Sequence, residues 1–151
     1  MRHMLHLQKF AGMFYLILLL SLQTVAQTAT PPSSGDGSQE NPFEISTLDQ
    51  LYWLSQSDTA WDKHYIQTVD IDASATSSWH NNNGFSPIGN ISTPFTGTYN
   101  GDGYKINNIV SNRPNQNYIG LFGLVQNGAK VTNLGITGAT ISGKTNVGGL
   151  T

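Results

Sequence analysis

The sequence has no cysteine, and only 11 % of its 151 residues are charged. Without cysteine the chain can form neither a disulfide framework nor a thiolate metal site. The low charge argues against a coiled coil and a charged helix bundle. The net charge of −2 and the pI of about 6.0 provide no basic surface, so we expect no nucleic-acid partner.

The only long hydrophobic run in the sequence covers residues 10–20. It is too short to span a bilayer, which takes about 20 apolar residues. Basic residues precede it, and Thr24 and Ala26 place small side chains at the −3 and −1 positions of a cleavage site. This pattern predicts a secretory signal peptide over residues 1–26. We therefore expect a secreted, extracellular or cell-surface protein whose mature chain has no membrane span.

Two segments follow the predicted cleavage site before the strand-rich region. Residues 27–40 are rich in proline, serine and glycine, which predicts a flexible linker. Residues 46–55 predict a short amphipathic helix, with Ser46 or Thr47 as its N-cap. The apolar positions of this helix recur at helical spacing: Leu48, Leu51, Tyr52 and Leu54.

From residue 65 onward apolar and polar residues alternate, as in a β-strand. The alternation predicts that Val69, Ile71 and Ala73 face inward and that Asp70 and Asp72 face outward. Two carboxylates separated by about 6.8 Å, twice the strand rise, suit a Ca²⁺ site or an acid pair that cleaves polysaccharide. The alternative is two solvated side chains on an outer face. No other metal or cofactor is predicted.

Eleven of the sixteen glycines lie from Gly97 onward, where the sequence repeats itself. One similarity overlays residues 101–112 on residues 126–137 at an offset of 25. Another relates residues 118–123 to residues 147–151 at an offset of 29. Stacked strands with a repeat of this length predict an all-β protein, a parallel β-helix or β-solenoid. The corner asparagines, Asn108 and Asn133, are predicted to bond each other between neighbouring rungs. The overlay at an offset of 25 pairs Ile106 with Val131, Asn108 with Asn133, and Ile109 with Leu134.

We expect the two ends of such a stack to differ in how they are covered. The helix at residues 46–55 is placed to cap the N-terminal end. The sequence stops within its second repeat, so we expect a C-terminally truncated stack. An uncovered last rung would expose strand edges, and the chain is therefore predicted to self-associate there.

The repeated glycines also carry a family resemblance. The chain resembles the bacterial GLUG-motif surface proteins, through residues 94–109 and 35–55 and through Gly-Leu-x-Gly repeats. The resemblance implies a right-handed solenoid, akin to filamentous-haemagglutinin adhesins, whose cap and first rungs occupy residues 41–151. It also implies that the repeat residues are structural and not catalytic. Those residues are Gly120, Leu121, Phe122 and Gly123, followed by Gly149 and Leu150 in the second match.

Aromatic residues concentrate in the loop-rich part of the chain. Exposed rings of this kind can stack on sugars, whereas buried ones would pack the helix against the first rung. Trp61, Trp79 and Tyr99 are thus candidate glycan contacts, and a host or matrix glycan or protein is a candidate partner. The aromatic set comprises Trp61, Tyr65, Trp79, Phe85 and Tyr99.

No catalytic motif accompanies these features. His64 and His80 lack zinc-ligand spacing, and Asp102 lies in a turn sequence. We therefore expect a non-catalytic adhesion or display module. One alternative is a polysaccharide lyase or hydrolase on a β-helix scaffold. Another, suggested by the resemblance, is an accessory region ahead of a secreted peptidase.

Overall fold

The structure, a computed structural model, describes residues 27–150. The predicted signal peptide, residues 1–26, and Thr151 lie outside the described residues. The described part contains nine strands, one α-helix and two 3-10 helices, which confirms a mostly β protein with a short helix. No helix within residues 27–150 has the length and hydropathy that a bilayer crossing needs.

All strands but two are short, and they follow one another closely along the chain. The helical elements are α1 (Leu48–Gln56) and the 3-10 helices Asp58–Ala60 and Ser74–Ser78. The strands are β1 (Phe43–Ile45), β2 (His64–Gln67), β3 (Ile71–Asp72), β4 (Thr98–Asn100), β5 (Lys105–Asn107), β6 (Val110–Ile119), β7 (Lys130–Thr132), β8 (Gly135–Thr137) and β9 (Thr140–Val147).

These strands form three sheets in which all named strand pairs are parallel. The strand orders are β1-β2-β4-β7, β3-β5-β8 and β6-β9. Successive strands such as β4, β5 and β6 enter three different sheets, and the chain then returns to the first sheet at β7. From β4 onward, each pass therefore adds one strand to each of the three sheets, whereas the two earlier passes add β1 alone and then β2 and β3.

The predicted 25-residue register is wrong. Ile106 pairs with Ile136 and Val110 with Thr140, an offset of 30, while Val131 pairs with Tyr99. The overlay failed because β5 and β7, although similar in sequence, belong to different sheets. The sequence similarity of β5 and β7 reflects a shared local structure, a short strand followed by a corner, and not a contact between the two strands. The predicted Ile106/Val131 and Ile109/Leu134 ladders do not form.

Aromatic rings fill the interior between the sheets. Tyr65 stacks on Tyr99 with centroids 6.4 Å apart, and Phe95 lies 5.0 Å from Phe122. Phe95 comes from a loop outside the named strands, and that loop joins the core through single bridges of Ile88 to Phe122 and of Phe95 to Val125. The segment between β3 and β4 thus packs as part of the core.

Helix α1 covers one part of this core, as its apolar spacing predicts. Leu51 and Leu54 are fully buried. Thr47 is the N-cap, and its side chain accepts the Gln50 N–H. The Gln50 side chain reaches back to accept the Ser46 N–H at 2.8 Å. Thr47 thereby satisfies a backbone donor of the first turn, and Gln50 satisfies the backbone donor of the residue before the N-cap.

Two local expectations need correction. Residues 27–40, predicted as a flexible linker, have backbone partners: Ser34 O accepts the Glu44 N–H and Gly37 O accepts the His64 N–H, so the segment runs beside β1 and β2. The strand predicted from residue 65 breaks after Gln67. Val69 is 42 % exposed rather than inward, because residues 68–70 form the corner between two sheets.

Candidate ligand-binding groove

Arg113 is the centre of the most distinctive surface of the described residues. It lies on β6, half-buried, and holds the loop before Ile88 through three hydrogen bonds. Its Nε donates to Phe85 O at 3.2 Å, and its Nη2 donates to Gly84 O at 3.2 Å and to Ser86 Oγ at 2.8 Å. All three acceptors are neutral. Burial lowers the pKa of Arg113 below its ordinary value.

Arg113 lines an open groove of about 760 Å³, here called the Arg113 groove. Three segments far apart in sequence form it: the end of α1 with the following 3-10 helix, the loop after Phe85, and β6 from Arg113 to Ile119. Most of its lining is uncharged. The lining residues are Ser55, Gln56, Asp58, Trp61, Ser86, Pro87, Gly89, Asn90, Ile91, Arg113, Gln116, Asn117, Tyr118 and Ile119.

An irregularity in β6 shapes one wall of the groove. Arg113 pairs with Gly143 and Asn117 with Thr145, so residues 114–116 face a single residue of β9 and bulge outward. Tyr118, just after the bulge, has φ = 60°. A bulky side chain rarely adopts this left-handed conformation, and such strain clusters at functional sites. The bulge exposes amide side chains beside a half-buried tyrosine.

These groups are suited to binding a ligand. The wall offers amides for hydrogen bonding, the Tyr118 ring and one cation. Asp58 is the only carboxylate among the lining residues, whereas glycoside hydrolysis ordinarily uses two. Within residues 27–150, no three His, Cys, Asp or Glu side chains come close enough together to hold a metal ion.

Asp70 and Asp72 lie outside the groove, at corners between sheets. Asp70 Oδ1 accepts the Lys105 N–H at 2.8 Å, and Asp72 Oδ1 accepts the Ser74 N–H at 3.0 Å. The hydrogen bonds from Ser74, followed by that from Asn108, lower the pKa of Asp72. Both carboxylates are exposed, and their contacts stabilise corners of the chain.

The three candidate glycan contacts do not form an exposed platform. Trp61, Trp79 and Tyr99 are buried in the core. Trp61 Nε1 donates to Leu54 O at 2.7 Å, which ties the 3-10 helix to α1. Trp79 packs on Tyr52 with centroids 4.8 Å apart. Of the three, Trp61 also reaches the lining of the Arg113 groove. Trp61 and Trp79 thus contact α1, whereas Tyr99 packs against Tyr65 and Phe122.

The asparagines at the corners have the predicted backbone conformation and different partners. Asn108 (φ 60°) and Asn133 (φ 54°) are both left-handed. They do not bond each other. Asn108 Nδ2 donates to Asp72 Oδ1 at 3.4 Å, and Asn133 Nδ2 donates to Asn100 Oδ1 at 3.0 Å. In the 30-residue register Asn108 follows a strand of one sheet and Asn133 follows a strand of another. The predicted hydrogen bond between them therefore does not form.

The first glycine-leucine repeat lies inside the core, and the second lies at the edge of the described residues. Leu121 and Phe122 are fully buried, and Leu150 packs partly buried against the core. A Cβ on Gly120 would lie 2.7 Å from Gly148 O, and one on Gly123 would lie 2.5 Å from Gly89 O. A Cβ on Gly149 would contact nothing within 4 Å. The close approach of neighbouring backbone segments therefore requires glycine at positions 120 and 123.

The remaining polar candidates have structural contacts. His64 Nδ1 lies 2.8 Å from Thr98 Oγ1, between neighbouring strands. His80 Nε2 lies 3.3 Å from Tyr52 Oη, and burial, followed by the positive charge of Arg113, lowers the pKa of His80. Asp102 has φ = 51° and belongs to a turn, as its sequence context predicts.

Sequence reasoning missed Arg113 and Tyr118, the two residues that distinguish the groove. One signal was available, because Arg113 is the only arginine after residue 2 in a charge-poor chain. Tyr118 gives no comparable signal, since its conformation follows from the bulge in β6.

Comparisons with known proteins find two related sequences. The chain is 38 % identical over 120 residues to halomucin from Haloquadratum walsbyi, an alignment that covers 76 % of the chain and 1 % of halomucin. It is 32 % identical over 145 residues to a protein of Evansella cellulosilytica named as a Gly-rich membrane protein, covering 93 % of the chain and 16 % of that protein. These relatives are consistent with a surface or secreted protein. No protein-family model matches the chain, and no solved structure matches it.

Proposed function

We propose that the chain is a secreted or cell-surface β-solenoid module for adhesion or display, which binds a saccharide in the Arg113 groove without cleaving it. The observation that carries the proposal is the groove itself: amide side chains and a strained tyrosine, with a single carboxylate. Such a surface suits a hydroxyl-rich ligand, because amides exchange hydrogen bonds with hydroxyls and an aromatic ring packs on the apolar face of a sugar.

The solenoid part of the proposal rests on topology. From β4 onward, each of the three parallel sheets gains a strand at every pass of the chain, which is the pattern of stacked rungs. In this proposal residues 1–26 direct export, the α1 helix caps the stack, and the Gly-Leu repeats let neighbouring rungs approach. The two relatives support a surface location.

A substitution in the groove tests the saccharide site. Tyr118→Asn removes the ring, and asparagine tolerates φ > 0 better than tyrosine does. We expect glycan-array signals to fall about tenfold. The free energy of unfolding should change by no more than about 1 kcal/mol, because relief of backbone strain offsets lost packing. Tyr104→Asn is the matched control, since Tyr104 is 37 % exposed and outside the groove.

The array experiment also separates the proposal from its enzymatic alternative. The bound saccharides are incubated with the chain and assayed for new reducing or unsaturated ends. Binding without product supports a non-catalytic module. If product accumulates with time and Asp58→Asn abolishes its formation, the non-catalytic proposal is wrong and the chain is a polysaccharide-cleaving enzyme. An array with no signal above background would overturn the saccharide site.

Self-association is a separate part of the proposal. Strands β7, β8 and β9 lie at one end of their sheets in the described residues, and their apolar residues Val131, Ile136 and Ile141 are only partly buried. Open strand edges pair with other chains. Sedimentation velocity should therefore show a dimer or larger species that grows with concentration, and a monomer at every concentration would contradict this.

A further inference from the structure

The positive charge of Arg113 has no negative partner within residues 27–150. Its three hydrogen bonds go to two backbone carbonyls and a hydroxyl. The single ion pair of the described part joins Lys63 and Asp62. A half-buried guanidinium that keeps its charge loses hydration, and neutral acceptors compensate for that loss less well than a carboxylate does.

One nitrogen of this guanidinium is available for binding. Nε and Nη2 take up the three contacts, and Nη1 has no partner among the described residues. The described side chains include no buried nitrogen or oxygen atom without a partner, so Nη1 is open to solvent. Its two N–H donors belong to a group that three hydrogen bonds already hold in place.

Holding the loop does not by itself require a cation. Gly84 O, Phe85 O and Ser86 Oγ need only N–H donors, which an uncharged amide also has. In a chain whose residues are only 11 % charged, a charge at the wall of a groove calls for an external partner.

We propose that the Arg113 groove selects acidic saccharides, with an anionic carboxylate or sulfate group bound at Arg113 Nη1 and the sugar ring lying against the wall formed by Tyr118 and Asn117. This inference rests on the proposed saccharide-binding function. Asp58, the other charged lining residue, is exposed and repels the same anionic ligand. It therefore weakens the binding of acidic saccharides but does not determine the preference for them.

A matched set of ligands tests the charge preference without altering the protein. Isothermal titration calorimetry compares a galacturonate hexamer, the same hexamer with its carboxylates methyl-esterified, and a sulfated neutral hexamer. We expect the ester to bind about tenfold or more weakly than the acid. Tighter binding of either anionic hexamer than of the ester supports the inference. Equal binding of all three overturns it and leaves the saccharide site intact, whereas no binding of any hexamer overturns both.

Variants then assign the preference to Arg113. Arg113→Gln keeps an N–H donor for the loop and removes the charge, so the acid should lose about tenfold in affinity while the ester is unaffected. Lys130→Gln, on β7 and outside the groove, is the charge-matched control. Asp58→Asn should strengthen binding of the acid about twofold. Should Arg113→Gln fail to fold, the Asp58→Asn result decides: an unchanged or weaker affinity for the acid would contradict a ligand charge in this groove.

Discussion

At the residue scale, Gly123 of the first Gly-Leu repeat and Gly149 of the second have opposite surroundings. A Cβ on Gly123 would lie 2.5 Å from Gly89 O and 2.8 Å from Tyr118 O, both backbone atoms. A Cβ on Gly149 has no atom within 4 Å. The glycine at position 123 therefore lets the loop after Phe85 and the end of β6, two walls of the groove, approach each other.

Alanine substitutions at these glycines should differ sharply. Gly123→Ala forces a backbone shift, which costs about 1–3 kcal/mol of unfolding free energy. Gly149→Ala should leave the unfolding free energy within about 0.5 kcal/mol of the parent. Urea denaturation measures both. Equal effects of the two substitutions would show that the close approach at Gly123 is not a constraint on the fold.

Two buried tyrosines give the fold a dependence on alkaline pH. Burial raises the pKa of Tyr65 and of Tyr99 well above the ordinary value of 10.0. Tyr65 Oη donates to Ala60 O at 2.6 Å, and Tyr99 Oη donates to Gln67 Oε1 at 3.0 Å. The folded chain thus holds both protons at a pH where the unfolded chain releases them.

The stability that these protons contribute is fully present below pH 10 and is lost as the pH rises above it. With two groups, the unfolding free energy should fall by about 2.7 kcal/mol per pH unit well above pH 10. Urea denaturation from pH 8 to pH 11.5 measures the slope. Tyr99→Phe should halve it, and a slope that is the same in this variant would mean that Tyr99 does not titrate on unfolding.

At the element scale, α1 is too short to be stable alone, so its caps and its buried face have to act together. The Thr47 side chain satisfies the Gln50 N–H, and Leu51 and Leu54 bind the helix to the core. The carbonyl of Leu54 also accepts the Trp61 indole. Helix α1 therefore positions the segment from Ser55 to Trp61 that forms one side of the Arg113 groove.

Loss of the N-cap should weaken this element measurably. Thr47→Ala is expected to lower the unfolding free energy by about 1 kcal/mol, because it leaves the Gln50 N–H without its partner. Thr59→Ala, at an exposed position in the 3-10 helix, is the matched control and should change it by less than about 0.5 kcal/mol. Similar losses in the two variants would argue that the Thr47 cap does not stabilise α1.

The element scale also explains what the sequence could and could not predict. The α1 helix, the corner asparagines and the short strands follow from local rules: helical spacing, tolerance of positive φ, and alternation. The strand register does not, because β5 and β7 look alike and lie in different sheets. The groove joins Asp58, Asn90 and Arg113, which are distant in sequence, so no local pattern could indicate it.

At the scale of the whole molecule, burial declines across the first sheet, from β4 to β7. Every strand of the first sheet contacts its neighbours in that sheet, and β4 lies between β2 and β7. Tyr99 in β4 is fully buried, whereas Val131, its partner in β7, is only partly buried. Stability need not be uniform across such a sheet, because β7 has a neighbouring strand on one side only in the described residues.

Hydrogen exchange should reveal this gradient at two comparable amides. The Thr98 N–H donates to Lys63 O at 3.1 Å, and the Lys130 N–H donates to Gly97 O at 3.2 Å, so each bonds the preceding pass of the chain. Because β7 is flanked by β4 alone in the described residues, it can open without disturbing β4. We expect Lys130 to exchange at least about tenfold faster than Thr98 by NMR, after correction for intrinsic rates. Equal protection would instead mean that the sheets open as one cooperative unit, and Gly123→Ala would then accelerate exchange at both amides alike.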